Sequence, residues 1–144
     1  MIRAGFELRL RIPAKWSAVE GLLHQLRRQA PGFRRFETEL LLREALNNAV
    51  LHGCGCDPDK RVTCRMRMDA RRVIVSVADE GCGFDWRKAR TREAPLDAES
   101  GRGMSIYREY ATRVRFSAAG NAIILVRRWT AGDTDGGTGN HEKR

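Results

Sequence analysis

The sequence has no apolar run approaching the roughly 20 residues needed to cross a bilayer, so no membrane-spanning helix is expected. Its opening stretch, MIRAGFELRLRIPAKW, breaks every apolar segment with charge and lacks the apolar centre of a signal peptide. Export is therefore not expected, and a cytoplasmic location is. Cysteine is sparse as well. The four, Cys54, Cys56, Cys64 and Cys82, do not form the dense framework of a small secreted domain, which points to reduced thiols. His52, Cys54 and Cys56 lie close in sequence, yet C-x-C is poor zinc spacing, so small buried or loop residues are the expected reading. Neither glycine cluster extends to G-x-G-x-x-G and no lysine follows a glycine, which removes the dinucleotide fingerprint and the P-loop.

Charge of one sign is abundant. The formal net charge of +9 comes mostly from arginine, a balance suited to phosphate, nucleic acid or an acidic protein surface. The arginines are scattered over every segment, with no run longer than a pair and little aromatic interleaving. A generally basic, solvated surface is expected, without direct nucleic-acid binding. A length of 144 residues allows one ordinary domain with its own core, and 42% hydrophobic with 31% charged residues is a globular composition. The sequence contains no internal repeat. The reading is one domain over residues 1–130 and a Gly-rich polar tail, 131–144, expected to be disordered.

Residues 5–12, GFELRLRI, alternate apolar and charged positions as a half-buried strand does, and Pro13 ends it. Ser17 and Glu20 match a capping box ahead of a helix whose Val19, Leu22, Leu23 and Leu26 keep helical spacing until Pro31 and Gly32. A second helix is expected from about Phe36 to His52, closed by Gly53, with Leu42, Ala45, Leu46, Ala49 and Val50 as its apolar stripe. A hairpin follows: 61–68 with Val62, Cys64, Met66 and Met68 inward, a turn at Asp69–Arg72, and an apolar strand over 73–78. After a long polar loop come a short helix from Met104 to about Ala111 and strands near 113–118 and 122–129, joined at Gly120 and Asn121. This order segregates helices to one side of a mixed, mostly antiparallel sheet, an α+β two-layer sandwich. Trp16, Trp86 and Trp129 read as packing residues.

On the second helix, Glu44, Asn48 and His52 are spaced four apart, so their side chains stack along one stripe. Asp79-Glu80-Gly81-Cys82-Gly83-Phe84 begins where the apolar strand ends, setting a carboxylate at the mouth of the sheet beside glycines that permit a close backbone approach. Such a carboxylate suits an exocyclic amine. Gly101-Arg102-Gly103 opens a helix, where backbone amides suit phosphate. Taken singly, each cluster has an ordinary alternative: a solvated helix face, a strand-to-loop turn, a helix start.

Together the clusters resemble the N, G1 and G2 boxes of the GHKL (histidine-kinase-like, Bergerat-fold) ATPase superfamily: Glu44-Ala-Leu-Asn-Asn48-Ala-Val-Leu-His52-Gly53, Asp79-Glu-Gly81-Cys-Gly83-Phe84 and Gly101-Arg-Gly103-Met104. The small size and the form of the first box look most like anti-sigma factor serine/threonine kinases, with the resemblance covering about residues 5–129. It implies ATP and Mg²⁺ as cofactors, and as partners an anti-anti-sigma protein of the STAS type and a sigma factor. By analogy alone it also implies a homodimer. Asn48 would ligate the metal, Glu44 would accept the proton of the attacking hydroxyl or orient it, and Asp79 would recognise the adenine amine. Gly81 and Gly83 would let the backbone approach the base. Gly101, Arg102, Gly103 and Met104 would surround the phosphates, His52 would join the nucleotide site, and Asn121 would stand where the family often has a threonine near the base. Residues 85–100 would form a lid. Some kinases of this type carry arginine where this chain has Glu99, which leaves a nucleotide-sensing binding module without kinase activity as the alternative.

Overall fold

The computed structural model describes residues 5–30, 36–81 and 99–130, with side chains from residue 104 onward in the last of these. The expected tail, residues 85–98 of the expected lid, Gly83, Cys82 and Trp86 lie outside them, while lid residues 99 and 100 are helical. Strand β1 (Phe6–Pro13) leads to helix α1 (Trp16–Gln29) and helix α2 (Phe36–Asn48), which runs on into a π-helical segment, Ala49–Gly53. Strands β2 (Arg61–Met68) and β3 (Arg72–Asp79) form the hairpin, and helix α3 (Glu99–Tyr110) precedes β4 (Arg113–Phe116) and β5 (Ala122–Arg128).

The sheet order is β1-β2-β3-β5-β4, and all pairings are antiparallel, so the parallel component expected from the sequence is absent among the described residues. The inward residues of the strands, among them Val62, Met66, Met68, Val73, Val75, Val77 and Leu125, are buried against the helices. From α1 the core takes Val19, Leu22, Leu23 and Leu26, and from α2 it takes Leu41, Leu42, Ala45 and Leu46. Burying each large side chain stabilises the fold by about 1.5–3 kcal/mol, which makes this single apolar layer the main cohesive term. Among the described residues, the other face of the sheet carries no helix.

The boundaries depart from the sequence reading in informative places. Lys15, extended at φ −145°, ψ 153°, is the N-cap of α1 and uses no side-chain cap. Ser17 thus falls inside the first turn and cannot serve as the cap, and Glu20 pairs instead with Arg43 of α2. Arg27 with Glu39 is a second clasp between the two helices. Surface pairs of this kind, here one exposed and one part-buried, contribute about 1 kcal/mol or less, so they align the helices more than they hold them. Trp16 is 46% exposed and does not pack into the core, whereas Trp129 is partly buried and donates its indole N–H to the carbonyl of Asp69 at 2.8 Å. The Asp69 carboxylate accepts the N–H groups of Arg71 and Arg72 at 2.7 and 3.1 Å, closing the expected β2–β3 turn. Helix α3 starts at Glu99, earlier than Met104, so the Gly101–Gly103 stretch forms its opening turns.

Candidate functional site

Helix α2 does not end as a regular helix. The N–H of Cys54 donates to the carbonyl of Ala49 at 2.8 Å, the i→i+5 closure of a π turn, and the N–H of Cys56 reaches the carbonyl of Val50 at 2.8 Å. Gly55 and Cys56, at φ +59° and +57°, then swing the chain away toward β2. Such π turns are rare and cluster at functional sites. Here the turn delivers Gly53 against the end of β3: a Cβ on Gly53 would land on the Asp79 carboxylate, and one on Gly81 would land on the carbonyl of Gly53. Only glycine at both positions lets the helix terminus and the strand end meet.

That meeting forms one wall of a cleft with about 320 Å³ of space, part of it open to solvent. Ala45, Asn48 and Ala49 line it from α2, Val77 and Asp79 from β3, and Tyr107 from α3. Phe116, Asn121 and Ile123 close it from the β4–β5 side, where Gly120 at φ +78° makes the connecting turn. The cleft is mostly apolar with a few polar groups at fixed positions, the usual make-up of a small-molecule site.

Each polar group is held. The N–H of Asp79 donates to the carbonyl of Asn121 at 2.8 Å, and its Oδ1 accepts the N–H of Gly81 at 2.8 Å. Burial pushes the Asp79 carboxyl above its ordinary pKa; the Gly81 hydrogen bond and the charge of Lys60 oppose the shift. Asn121 Oδ1 accepts from the Ser117 hydroxyl at 3.0 Å. Asn48 Nδ2 donates to the Tyr107 hydroxyl at 2.8 Å. Tyr107 is only 1% exposed, and burial raises its pKa far above the usual phenol value, with the Asn48 hydrogen bond lowering it and the negative charge of Glu44 raising it.

Of the residues picked from the sequence, Asn48, Asp79 and Asn121 converge on this cleft, and Gly81 abuts it through Asp79. Glu44, one turn before Asn48 on α2, is partly buried, with its charge acting on Tyr107 and Arg43. His52 is exposed on the π segment and is not part of the lining, because the wider turn rotates residues after Asn48 off the expected stripe. Met104 is 5% exposed and packs in the apolar core. Gly101, Arg102 and Gly103 sit at the start of α3, without a described side chain for Arg102. Tyr107 and Phe116 were not foreseen. The available signal was a tyrosine inside an apolar helical stripe, since a buried hydroxyl needs a partner.

Cys54 and Cys64 are buried and Cys56 is exposed, all as free thiols. Burial pushes the Cys64 thiol up to about 12 and that of Cys54 upward, which suppresses thiolate reactivity. Among the described residues, no three His, Cys, Asp or Glu side chains are grouped as metal ligands.

A two-layer sandwich whose helix terminus, strand-end aspartate and late helix enclose one mostly apolar cleft defines a nucleotide-binding class of domain. The family model of the histidine kinase-like ATPase domain matches residues 12–127, and the chain belongs to that family. Membership implies ATP binding. A search of curated proteins found no match. No helix among the described residues is long and apolar enough to cross a membrane.

Proposed function

We propose that the chain is an ATP-dependent serine/threonine protein kinase that phosphorylates an anti-anti-sigma partner of the STAS type and, alternately, sequesters a sigma factor in the cytoplasm. The observation that carries this reading is the Asn48–Tyr107 hydrogen bond at the cleft, with Glu44 one turn away and Asp79 on the facing wall. With Nδ2 engaged by Tyr107, the Asn48 amide offers Oδ1, an oxygen of the kind Mg²⁺ selects. The adenine end also fits: apolar side chains of Ala49, Val77 and Ile123 line the cleft beside a carboxylate that can accept a hydrogen bond from an exocyclic amine.

When bound, Mg-ATP supplies the phosphoryl group and the cation that neutralises its charge. The chain's own residues do the rest. Asp79 orients the base, backbone amides at the start of α3 receive phosphate oxygens, and Arg102 adds positive charge there. Glu44 would accept the proton of the partner's serine or threonine hydroxyl as that oxygen takes the γ-phosphoryl group and ADP leaves, a positioning and proton-transfer role worth about 10²–10⁴-fold.

The test uses purified full-length chain, radiolabelled Mg-ATP and a STAS-domain protein. Label should pass to the STAS protein, Glu44→Gln should retain ATP binding while transfer falls by at least about 10²-fold, and Asn48→Ala should lose the Mg²⁺-dependent part of binding. Unchanged transfer in Glu44→Gln contradicts its role. Glu99 at the head of α3, where some kinases of this type carry arginine, favours the second reading, a nucleotide-sensing module that holds its partner without phosphorylating it. Calorimetric binding of ATP without any transfer identifies that case.

A further inference from the structure

The arginines that look scattered in sequence are gathered by strand register. Side chains alternate across a sheet, so residues directly opposed on neighbouring strands share a face. One row across the helix-free face runs Arg9, Arg65, Ser76, Ile124, Arg115, and the next runs Glu7, Arg67, Ile74, Val126, Arg113. Arg72 faces Arg128 in a further row. Apart from Ser76, the centre of this face, on β3 and β5, is apolar, and Ile124 there is 40% exposed. Its two flanks, β1–β2 and β4, are guanidinium. The Glu7–Arg65 pair at 2.9 Å and the Glu80–Arg11 pair at 3.1 Å show how carboxylates meet these arginines, but Arg9, Arg113, Arg115 and Arg128 pair with no carboxylate among the described residues.

Like charges set directly opposite on neighbouring strands, as Arg9–Arg65 and Arg72–Arg128 are, work against folding. Glu7 relieves Arg65 and the Asp69 carboxylate acts on Arg72, but Arg9 and Arg128 pair with no described carboxylate, and an anionic partner would offset the repulsion that remains. Three occupants are conceivable, and the observations separate them. A second copy of the chain would set arginine rows against arginine rows. Single-stranded nucleic acid bound without sequence preference relies on aromatic stacking, and the open-face positions of the described strands hold no aromatic residue; duplex DNA offers phosphates to the arginines and leaves the apolar centre unused. An acidic protein helix uses both features. From β2 to β4 the trough is about 14 Å wide at ordinary interstrand spacing, and a helix with its side chains is about 10–12 Å across.

We propose that the helix-free face of the sheet docks an acidic amphipathic helix of a partner protein, its apolar stripe on Ile74, Ile124 and Val126 and its carboxylates on the flanking arginines. This inference does not depend on the nucleotide reading, because these side chains point to the sheet face opposite the helices.

Fluorescence anisotropy on the full-length chain tests it, with a labelled synthetic helical peptide of glutamates and leucines, the leucines at i, i+3, i+4 and i+7. The comparison probes are a leucine-free polyglutamate and a short duplex DNA. At about 0.15 M salt the amphipathic peptide should bind about tenfold or more tightly than either. Arg115→Glu should weaken it at least about tenfold, Ile124→Glu should abolish its advantage over polyglutamate, and Asp79→Asn in the cleft should leave it unchanged. All altered open-face positions are exposed, and denaturation midpoints would verify that the variants remain folded. The proposal is overturned if duplex DNA binds as tightly as the peptide, if Ile124→Glu leaves the peptide's advantage intact, or if the chain is a dimer that Arg115→Glu or Ile124→Glu dissolves.

Discussion

The two faces of the sheet are made by the same strands, one residue out of phase, and they do opposite things. Inward residues such as Met66 and Val75 are 1% and 2% exposed and are sealed under helices. Their immediate neighbours, Arg65, Arg67 and Ile74, face away from every helix. The inner face ends in a cleft where a carboxylate is held in a poorly solvated place, while the outer face holds carboxylates only where arginine meets them. Period two alone therefore separates a packed, ligand-enclosing side from a charged, solvent-facing one. A register slip of one residue would exchange them, which makes the hydrophobic core also the device that decides where the charge goes.

The largest expected effect comes from comparing neighbours across the two faces. Met66→Ala removes a side chain with nowhere to collapse and should cost about 2–5 kcal/mol. Arg67→Ala, one position on, should stay within about 0.5 kcal/mol. Denaturant midpoints at constant m-value read both. Equal losses would mean that the faces are not energetically distinct and that the arginine face is packed against something.

The strands, and the positions of Asn48 on the second helix and Asp79 at the end of the apolar strand, were legible in the sequence because each rests on local periodicity or on residues adjacent in the chain. Val62, Cys64, Met66 and Met68 alternate inward as their spacing requires. What was not legible depends on contacts distant in sequence. The π turn exists where Gly53 meets Asp79 and Gly81, and no pattern within 44–53 announces that His52 will leave the stripe. Ser17 looked like a cap because capping boxes are local, yet the chain's exit from β1 set the helix start earlier, at Lys15. The arginines seemed scattered because their grouping requires the register of all the strands at once.

The next effect is smaller and belongs to the inner face. Tyr107→Phe keeps the ring, which packs edge-on to Phe116 at a centroid distance of 6.5 Å, and deletes only the hydroxyl that receives the Asn48 amide. Losing that hydrogen bond should cost about 1 kcal/mol. If Tyr107 fixes the direction of Asn48 Oδ1, the same substitution should weaken ATP binding about fivefold in the presence of Mg²⁺ and leave metal-free binding unchanged. A merely structural tyrosine would move stability and leave the metal dependence alone, so calorimetry with and without Mg²⁺ distinguishes the two.

The smallest effect sharpens the comparison through pH. Burial raises the Asp79 carboxyl above its ordinary value, with Gly81 and Lys60 opposing. Between its unfolded pKa, about 3.9, and the higher folded value, the folded chain therefore binds more protons than the unfolded one, and this group's contribution to stability falls as pH rises through that window. Glu7 behaves in the reverse sense. Its hydrogen bond to Arg65, aided by the charges of Arg65 and Arg67 and opposed by slight desolvation, lowers its pKa. Its contribution is present above the unfolded value of about 4.3 and is lost as pH falls through the folded one. Asp79→Asn should accordingly remove a limb that declines with rising pH and weaken ATP binding, whereas Glu7→Gln should remove a limb that rises with pH and leave ATP binding untouched. Denaturation midpoints across the acid range check this pair. If both substitutions bent the stability profile in the same direction, the cleft carboxylate would be as well solvated or as well paired as the exposed one, and its fitness to meet a neutral exocyclic amine would be lost with it.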